Sequence, residues 1–172
     1  MEKLKKLVFL SILVSVGLGL SVLESAIPLP IMVPGARLGL SNMVILVTLI
    51  IFGFKEGLIV SVLKSIILML VTGSVSSFIY SISGAILSCI TMFLTYKYCH
   101  SIFSLIGVSI IGALSHNFGQ VTVASLMMNN LRIYTYLPFL MLISLFTGYF
   151  VGLASRYIVK NLEENFKTLF QR

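Results

Sequence analysis

The residues that could do chemistry are polar side chains that interrupt long apolar stretches. Lys64 lies in the middle of one apolar run, and His116, Asn117 and Gln120 lie together in another. Ionisable side chains inside membrane-spanning segments are costly, and they usually face a cavity or one another, so they often mark a site or a pathway. His116 and Gln120 are four residues apart and share one face of a helix. These residues are therefore the first candidates for a ligand site.

Other polar residues stand near the ends of the apolar runs. Glu24 ends the first run, and Arg37 lies in the connection that follows it. Two arginines and one lysine facing a single glutamate favour a ligand that is anionic or carries a carboxylate. We therefore predict an outward-opening polar pocket whose ligand-binding residues are Arg37, Asn42, Lys64, His116, Asn117, Gln120 and Arg132.

Each of these residues also has a purely structural interpretation. Lys64 could extend to an interface, or pair with a carbonyl or with Glu24 as a structural bond. His116 and Asn117 could be hydrogen-bonding links between helices. The arginines could be ordinary charges on the outer surface. The grouping of the polar residues favours a site more than any single member does.

The acidic residues limit the chemistry that the chain can perform. All five are glutamates, and the chain contains no aspartate. This excludes the Asp-rich magnesium sites that hold diphosphate in many prenyl transferases. The two histidines do not make a zinc site, and GxSxG, P-loop and GxGxxG motifs are absent. We predict no catalytic residues, no metal and no cofactor, so the chain is not expected to be an enzyme and energy from ATP would have to come from another chain.

The composition is that of an integral membrane protein. Of the 172 residues 58% are hydrophobic and 10% are charged, and the mean hydropathy is +1.10. A soluble domain is about a quarter charged. Because a membrane-spanning helix takes about 20 residues, we predict a single all-α domain of six transmembrane helices in the cell (plasma) membrane. The expected spans are 7–23, 40–54, 57–71, 75–96, 102–128 and 136–158.

Two segments lie outside these spans. Residues 24–39 contain three of the four prolines, Pro28, Pro30 and Pro34, which prevent a regular helix. This loop is still apolar, so we expect it to fold back over the bundle as an outer lid, the alternative being a plain connector. The tail 159–172 is amphipathic and is expected to lie on the membrane surface or to touch a partner.

The charges predict the orientation. With a cytoplasmic N-terminus, nine lysines and arginines fall in inner segments and only Arg37 and Arg132 fall in outer ones. Cytoplasmic loops carry an excess of Lys and Arg. Both termini should therefore be cytoplasmic, and the net charge of +7 reflects this excess rather than a nucleic-acid partner.

The first span has a stripe of small residues. Ser11, Ser15 and Gly19 recur every four residues. Such stripes let helices in lipid approach closely. We predict that they bind a partner protein, with packing inside the bundle as the alternative.

Two stretches resemble a known family. PGARLGLSNMVILVTLIIFGFKEG (34–57) and IGVSIIGALSHNFGQVTVASLMMNN (106–130), together with Lys64, resemble the family called heptaprenyl diphosphate synthase component I, also labelled the Gx transporter family. That family is similar to the S components of energy-coupling factor (ECF) importers, which are six-span solute-binding subunits with a long first loop as lid. The resemblance covers about residues 7–158.

The resemblance implies two kinds of function. An S component would bind a small molecule and act with a membrane coupling subunit and ABC-type ATPases, with Ser11, Ser15 and Gly19 loosely matching the pattern that contacts the coupling subunit. We take this as the leading hypothesis. The alternative is a non-catalytic membrane component that docks a prenyl diphosphate synthase catalytic subunit through its cytoplasmic face and tail. A weaker third hypothesis is a scaffold in an electron-transfer complex.

Overall fold

The computed structural model describes residues 2–27, 38–99 and 101–170, leaving aside the side chains at 2, 163 and 165–170. The described parts are helical, with no strand among them. The α-helices are α1 (Glu2–Ser25), α2 (Asn42–Phe52), α3 (Phe54–Thr72), α4 (Val75–Tyr98), α5 (Leu105–Met127) and α6 (Leu137–Phe170), and a 3₁₀ helix (Leu131–Tyr136) precedes α6.

The six α-helices follow the order of the six predicted spans. Two features differ from the expectation. The outer turn before the sixth span contains the 3₁₀ helix, and α6 continues without interruption through most of the segment expected to be a separate tail. The predicted lid loop has its central part, residues 28–37, outside the described residues.

Glycines and serines set the sharp helix boundaries. Gly53, with φ of +99°, separates α2 from α3, and Gly73, with φ of +66°, ends α3 with its N–H bonded to the Met69 carbonyl. Positive φ is accessible to glycine without a Cβ penalty. Ser74 then caps α4 by accepting from the Ser77 N–H, and Ser104 caps α5 in the same way from Gly107.

Three helical stretches among the described residues are long and apolar enough to cross a membrane. These are Lys3–Ser25, Val75–Tyr98 and Leu131–Leu162. Large apolar side chains are exposed along them, including Leu7, Leu94 and Phe150, as expected where lipid is the solvent. The chain is a helical membrane protein. The other long helices, α3 and α5, carry the buried polar residues described below.

The short helix α2 occupies the centre of the bundle. It contacts all five other α-helices, and every residue from Val44 to Leu49 is buried. A helix that is apolar all round belongs in an interior. Its 11 residues correspond to about 16 Å, well short of a 30 Å hydrocarbon layer. The neighbouring helices therefore surround α2, and its first residue lies within the protein.

Close approach of backbones holds α5 between α4 and α6. An ideal Cβ on Gly148 would lie 2.8 Å from the Cα of Ile110, and one on Gly152 would lie 2.7 Å from the Cα of Ile106. Gly148 and Gly152 are four residues apart on one face of α6. Small residues at this spacing let membrane helices pack backbone to backbone.

An ion pair joins the start of α1 to the first turn of α3. The Lys6 Nζ donates to Glu56 Oε1 at 2.5 Å. The same ammonium lies 5.7 Å from the centre of the Phe52 ring. The hydrogen bond from Lys6 lowers the pKa of Glu56 below its ordinary 4.5, against a smaller opposing effect of burial.

We predict a small, pH-dependent effect at this pair. Glu56→Gln should lower the free energy of unfolding by about 0.5 kcal/mol at neutral pH, since both side chains are partly exposed. Because the folded-state pKa is lowered, the stabilisation is complete above the unfolded value and is lost as pH falls through the folded value. Thermal unfolding of both proteins between pH 7 and pH 3 should show the difference shrinking on acidification. A Lys6→Met, Glu56→Gln double variant that loses the sum of the two single effects would contradict the pairing.

Candidate functional site

A set of buried polar side chains lies on and around α2, which contacts α1, α3 and α5. We call it the polar cluster, and its members are Glu24, Ser41, Asn42, Lys64, His116, Asn117 and Gln120. All seven are buried. They come from the last turn of α1, the start of α2, the middle of α3 and the second half of α5.

Lys64 is the most costly member of the polar cluster. It lies ten residues into α3, or about 15 Å along the helix axis, and only 1% of it is exposed. Its Nζ donates to the Ser41 Oγ at 2.6 Å. An ideal Cβ on Gly17 of α1 would lie 3.4 Å from the Lys64 Cδ, so α1 packs against the lysine stem. Burying a lysine is costly, and the hydrogen bond to Ser41 offsets part of that cost.

The end of α1 and the start of α2 are joined through Glu24. Its carboxylate accepts the backbone N–H of Gly39, which has φ of +79°. An ideal Cβ on Gly39 would lie 2.9 Å from Asn42 Nδ2 and 3.8 Å from His116 Cδ2. Gly39 thus occupies a position with little room for a side chain, and it brings the entry to α2 close to α5.

The α5 members of the polar cluster are held from both sides. The Asn117 Nδ2 donates to the Ser144 Oγ of α6 at 2.6 Å and to the Leu140 carbonyl at 3.4 Å. On the opposite side, an ideal Cβ on Gly84 of α4 would lie 2.8 Å from the His116 carbonyl oxygen and 2.9 Å from Gln120 Cγ. The absence of a side chain at Gly84 therefore admits His116 and Gln120.

Several polar atoms of the polar cluster have no hydrogen-bond partner. These are both Nδ2 and Oδ1 of Asn42 and the Oδ1 of Asn117. Buried polar groups in native proteins are almost always paired, and each exception requires an explanation. No group of three or more metal-ligating side chains occurs in the described part of the chain. The unpaired atoms of Asn42 and Asn117 leave room for hydrogen bonds to a polar group.

A protein-family model matches residues 13–158 of the chain, and its description is heptaprenyl diphosphate synthase component I. The chain belongs to the heptaprenyl diphosphate synthase component I family. No curated protein and no solved structure matches it. The suspected family is thereby confirmed.

The component I match contains the whole polar cluster. It leaves out the basic N-terminal residues and the tail beyond residue 158. Of the three small residues predicted to bind a partner, Ser15 and Gly19 lie within the match, and Ser11 lies just before it. All three are exposed in the structure, and an ideal Cβ on Gly19 would meet no atom within 4 Å.

The structure buries five of the seven residues predicted to bind a ligand in this component I chain. Asn42, Lys64, His116, Asn117 and Gln120 all belong to the polar cluster. Arg132 is exposed on the 3₁₀ helix, with its backbone N–H bonded to the Asn130 side chain, so it is not part of the buried set. Arg37 lies outside the described residues.

Sequence reasoning did not single out three residues that shape the polar cluster. Ser41 accepts from Lys64, Ser144 accepts from Asn117, and Gly39 donates to Glu24. Serine is common in membrane helices and usually bonds to its own helix, as Ser144 also does to the Leu140 carbonyl. Gly39 and Ser41 do lie in the stretch 34–57 that resembles the family, within three residues of Asn42.

Proposed function

We propose that the chain is the non-catalytic membrane component of a heptaprenyl diphosphate synthase, acting with a separate catalytic subunit. The observation that carries this proposal is the family match over residues 13–158. It agrees with a chain that contains no aspartate, because an Asp-rich magnesium site would then have to come from the other subunit. It also agrees with a helical membrane protein that could hold a soluble enzyme beside the lipid in which its product dissolves. We place it in the plasma membrane with both termini in the cytoplasm.

We propose that this subunit docks at the basic end of the bundle, where α3 begins and α4 and α6 end. Lys55, Lys97, Arg156 and Lys160 are exposed there. The carboxylate of Glu56, at the same end, is already paired with the ammonium of Lys6. A surface with this excess of positive charge suits an acidic partner and would steer its approach.

Co-purification tests the proposal. The tagged chain, extracted gently from its native membranes, should retain a soluble Asp-rich prenyl diphosphate synthase, identified by mass spectrometry. Removing residues 165–172 should weaken that retention, since it shortens the segment beyond the bundle while leaving the half-buried Leu162 in place. Equal thermal stability of the truncated protein is the control. Recovery of an ABC-type ATPase pair with a membrane coupling subunit, and no synthase, would reject the proposal.

A second candidate is a solute-binding subunit of an ECF-type transporter. The polar cluster favours it, because a protein that served only as an anchor would have no need of a buried lysine among polar side chains. In this candidate, Asn42, Lys64, His116, Asn117 and Gln120 would contact the small molecule, with Arg37 and Arg132 at the rim. The exposed face with Ser11, Ser15 and Gly19 would bind the coupling subunit. The same co-purification separates the two candidates by the partner recovered.

A further inference from the structure

An apolar groove runs between α4 and α5 on the side of the bundle away from the polar cluster. Two adjoining cavities of about 320 and 330 Å³ lie there, and both are lined by Leu87 and Phe118. They therefore form one continuous depression, which we call the α4–α5 groove. Each volume is within the range that is usual for ligand pockets. The walls include Leu87, Ile90 and Thr91 of α4 and Leu114, Phe118 and Val123 of α5.

The α4–α5 groove lies at the depth of the membrane interior. On α4, which is long and apolar enough to cross a membrane, the lining residues run from Ser83 to Thr91. They start about 12 Å from the beginning of the helix and stop about 10 Å before its end. The Thr91 hydroxyl donates to carbonyls of its own helix, and so does the Ser115 hydroxyl. An occupant at this depth is therefore a hydrocarbon chain.

A lysine continues the same face of α4 toward the basic end of the bundle. Lys97 follows Ile90 by seven residues and Ile86 by eleven, spacings that keep side chains on one face of a helix. It is exposed, with its Nζ 5.5 Å from the centre of the Phe93 ring. No carboxylate in the described part of the chain forms an ion pair with it. A hydrocarbon groove that leads to a cation suits an amphiphile with an anionic head.

The ordering cost of the chain favours an isoprenoid over a lipid acyl chain. Lipid tails are as apolar as the groove walls, so the fit and the loss of conformational freedom decide which chain is held. An isoprenoid has a double bond in every unit, and it therefore has fewer rotatable bonds to immobilise than a saturated chain of equal length. Its methyl branches can enter the cavities on either side of Phe118.

We propose that the α4–α5 groove binds the isoprenoid chain of a polyprenyl diphosphate, with the diphosphate beside Lys97. This inference rests on the proposed function, because the catalytic subunit of a heptaprenyl diphosphate synthase makes such a molecule. The head would lie at the basic end of the bundle, where we place the docking of that subunit. Binding can be measured on this chain alone, so its failure is distinguishable from a failure of the co-purification.

The absence of tryptophan from the sequence allows a reporter to be placed in the groove. Phe118→Trp puts the only indole of the protein in the α4–α5 groove, where Phe118 is 43% exposed. The full chain would be reconstituted in phosphatidylcholine vesicles with brominated acyl chains, which quench an indole that they touch. Geranylgeranyl diphosphate, or a saturated straight-chain alkyl diphosphate of equal length, would be mixed into the lipid. Phe146→Trp, on the exposed face of α6 and outside the groove, is the matched control.

We expect geranylgeranyl diphosphate to displace brominated chains and to restore the fluorescence of the Phe118→Trp protein in a saturable way. The straight-chain diphosphate should have little effect, and the Phe146→Trp protein should respond to neither. Adding Lys97→Met should weaken the apparent affinity about fivefold, since one lysine near an anionic head is worth about 1 kcal/mol. Lys3→Met should leave the affinity unchanged, because the described residues of α1 contact neither α4 nor α5.

A second reporter keeps the test decisive if Phe118→Trp fails to fold. Ile90→Trp places the indole on the α4 wall of the groove and should respond in the same way. No recovery of fluorescence in the folded reporter proteins would overturn the proposal. Equal recovery with the straight-chain diphosphate, or in the Phe146→Trp protein, would show non-selective mixing with lipid and would also overturn it. An equal effect of Lys97→Met and Lys3→Met would contradict the position of the diphosphate.

Discussion

Replacing Gly152 by leucine is expected to lower the free energy of unfolding by about 3 kcal/mol or more, enough to prevent α6 from packing against α5. Even the first added carbon would lie 2.7 Å from the Cα of Ile106 and 3.0 Å from the Cβ of Ser109. The Ile106 contact is with main chain, so no rotation of a flexible side chain can relieve it. Melting temperature in detergent, together with the yield of monodisperse protein, measures the effect.

Gly19→Leu is the matched control for this prediction. It makes the same change on α1, at a helical glycine where an ideal Cβ meets no atom within 4 Å. The Gly19 variant should fold with nearly unchanged stability. If both variants lost the same amount of stability, leucine would be harmful on either helix whatever its neighbours. That result would contradict the close contact between α5 and α6.

Replacing Gly84 of α4 by alanine is expected to displace His116 and Gln120, two members of the polar cluster on α5. The added Cβ would lie 2.8 Å from the His116 carbonyl oxygen and 3.0 Å from His116 Cε1. Because α5 must move away to admit it, we expect a loss of about 2 kcal/mol in the free energy of unfolding.

Gly17→Ala separates this effect from the general consequence of removing a helical glycine. Its Cβ would lie 3.4 Å from the Lys64 Cδ, the flexible stem of a side chain, and 3.6 Å from Val44. Alanine is the better helix former by about 0.5–1 kcal/mol, so this variant should be as stable as the parent or slightly more stable. If Gly84→Ala were equally harmless, the close packing of α4 on α5 would be wrong.

The identity of the polar candidates could be predicted from the sequence because polar residues stand out in apolar runs. Lys64, His116, Asn117 and Gln120 have no plausible place facing lipid, and the cost of burying them points to a shared interior. Arg132 could not be judged in the same way. It follows the fifth span closely and lies, exposed, on the 3₁₀ helix. Six residues are too few for a periodic pattern to predict which side chains of such a helix are buried.

The sequence by itself determined that this is a helical membrane protein of six α-helices and which family it resembles. Length and apolar composition decide these properties, since a run of about 20 apolar residues has few other stable conformations in lipid. The tertiary structure alone decided that α2 lies at the centre of the bundle. It also decided that Ser41 accepts a hydrogen bond from Lys64. Glycines on α4 and α6 let both helices pack closely against α5, which bears His116 and Asn117. These outcomes depend on contacts between residues far apart in the chain, and the local pattern of apolar and polar residues does not encode which helix faces which.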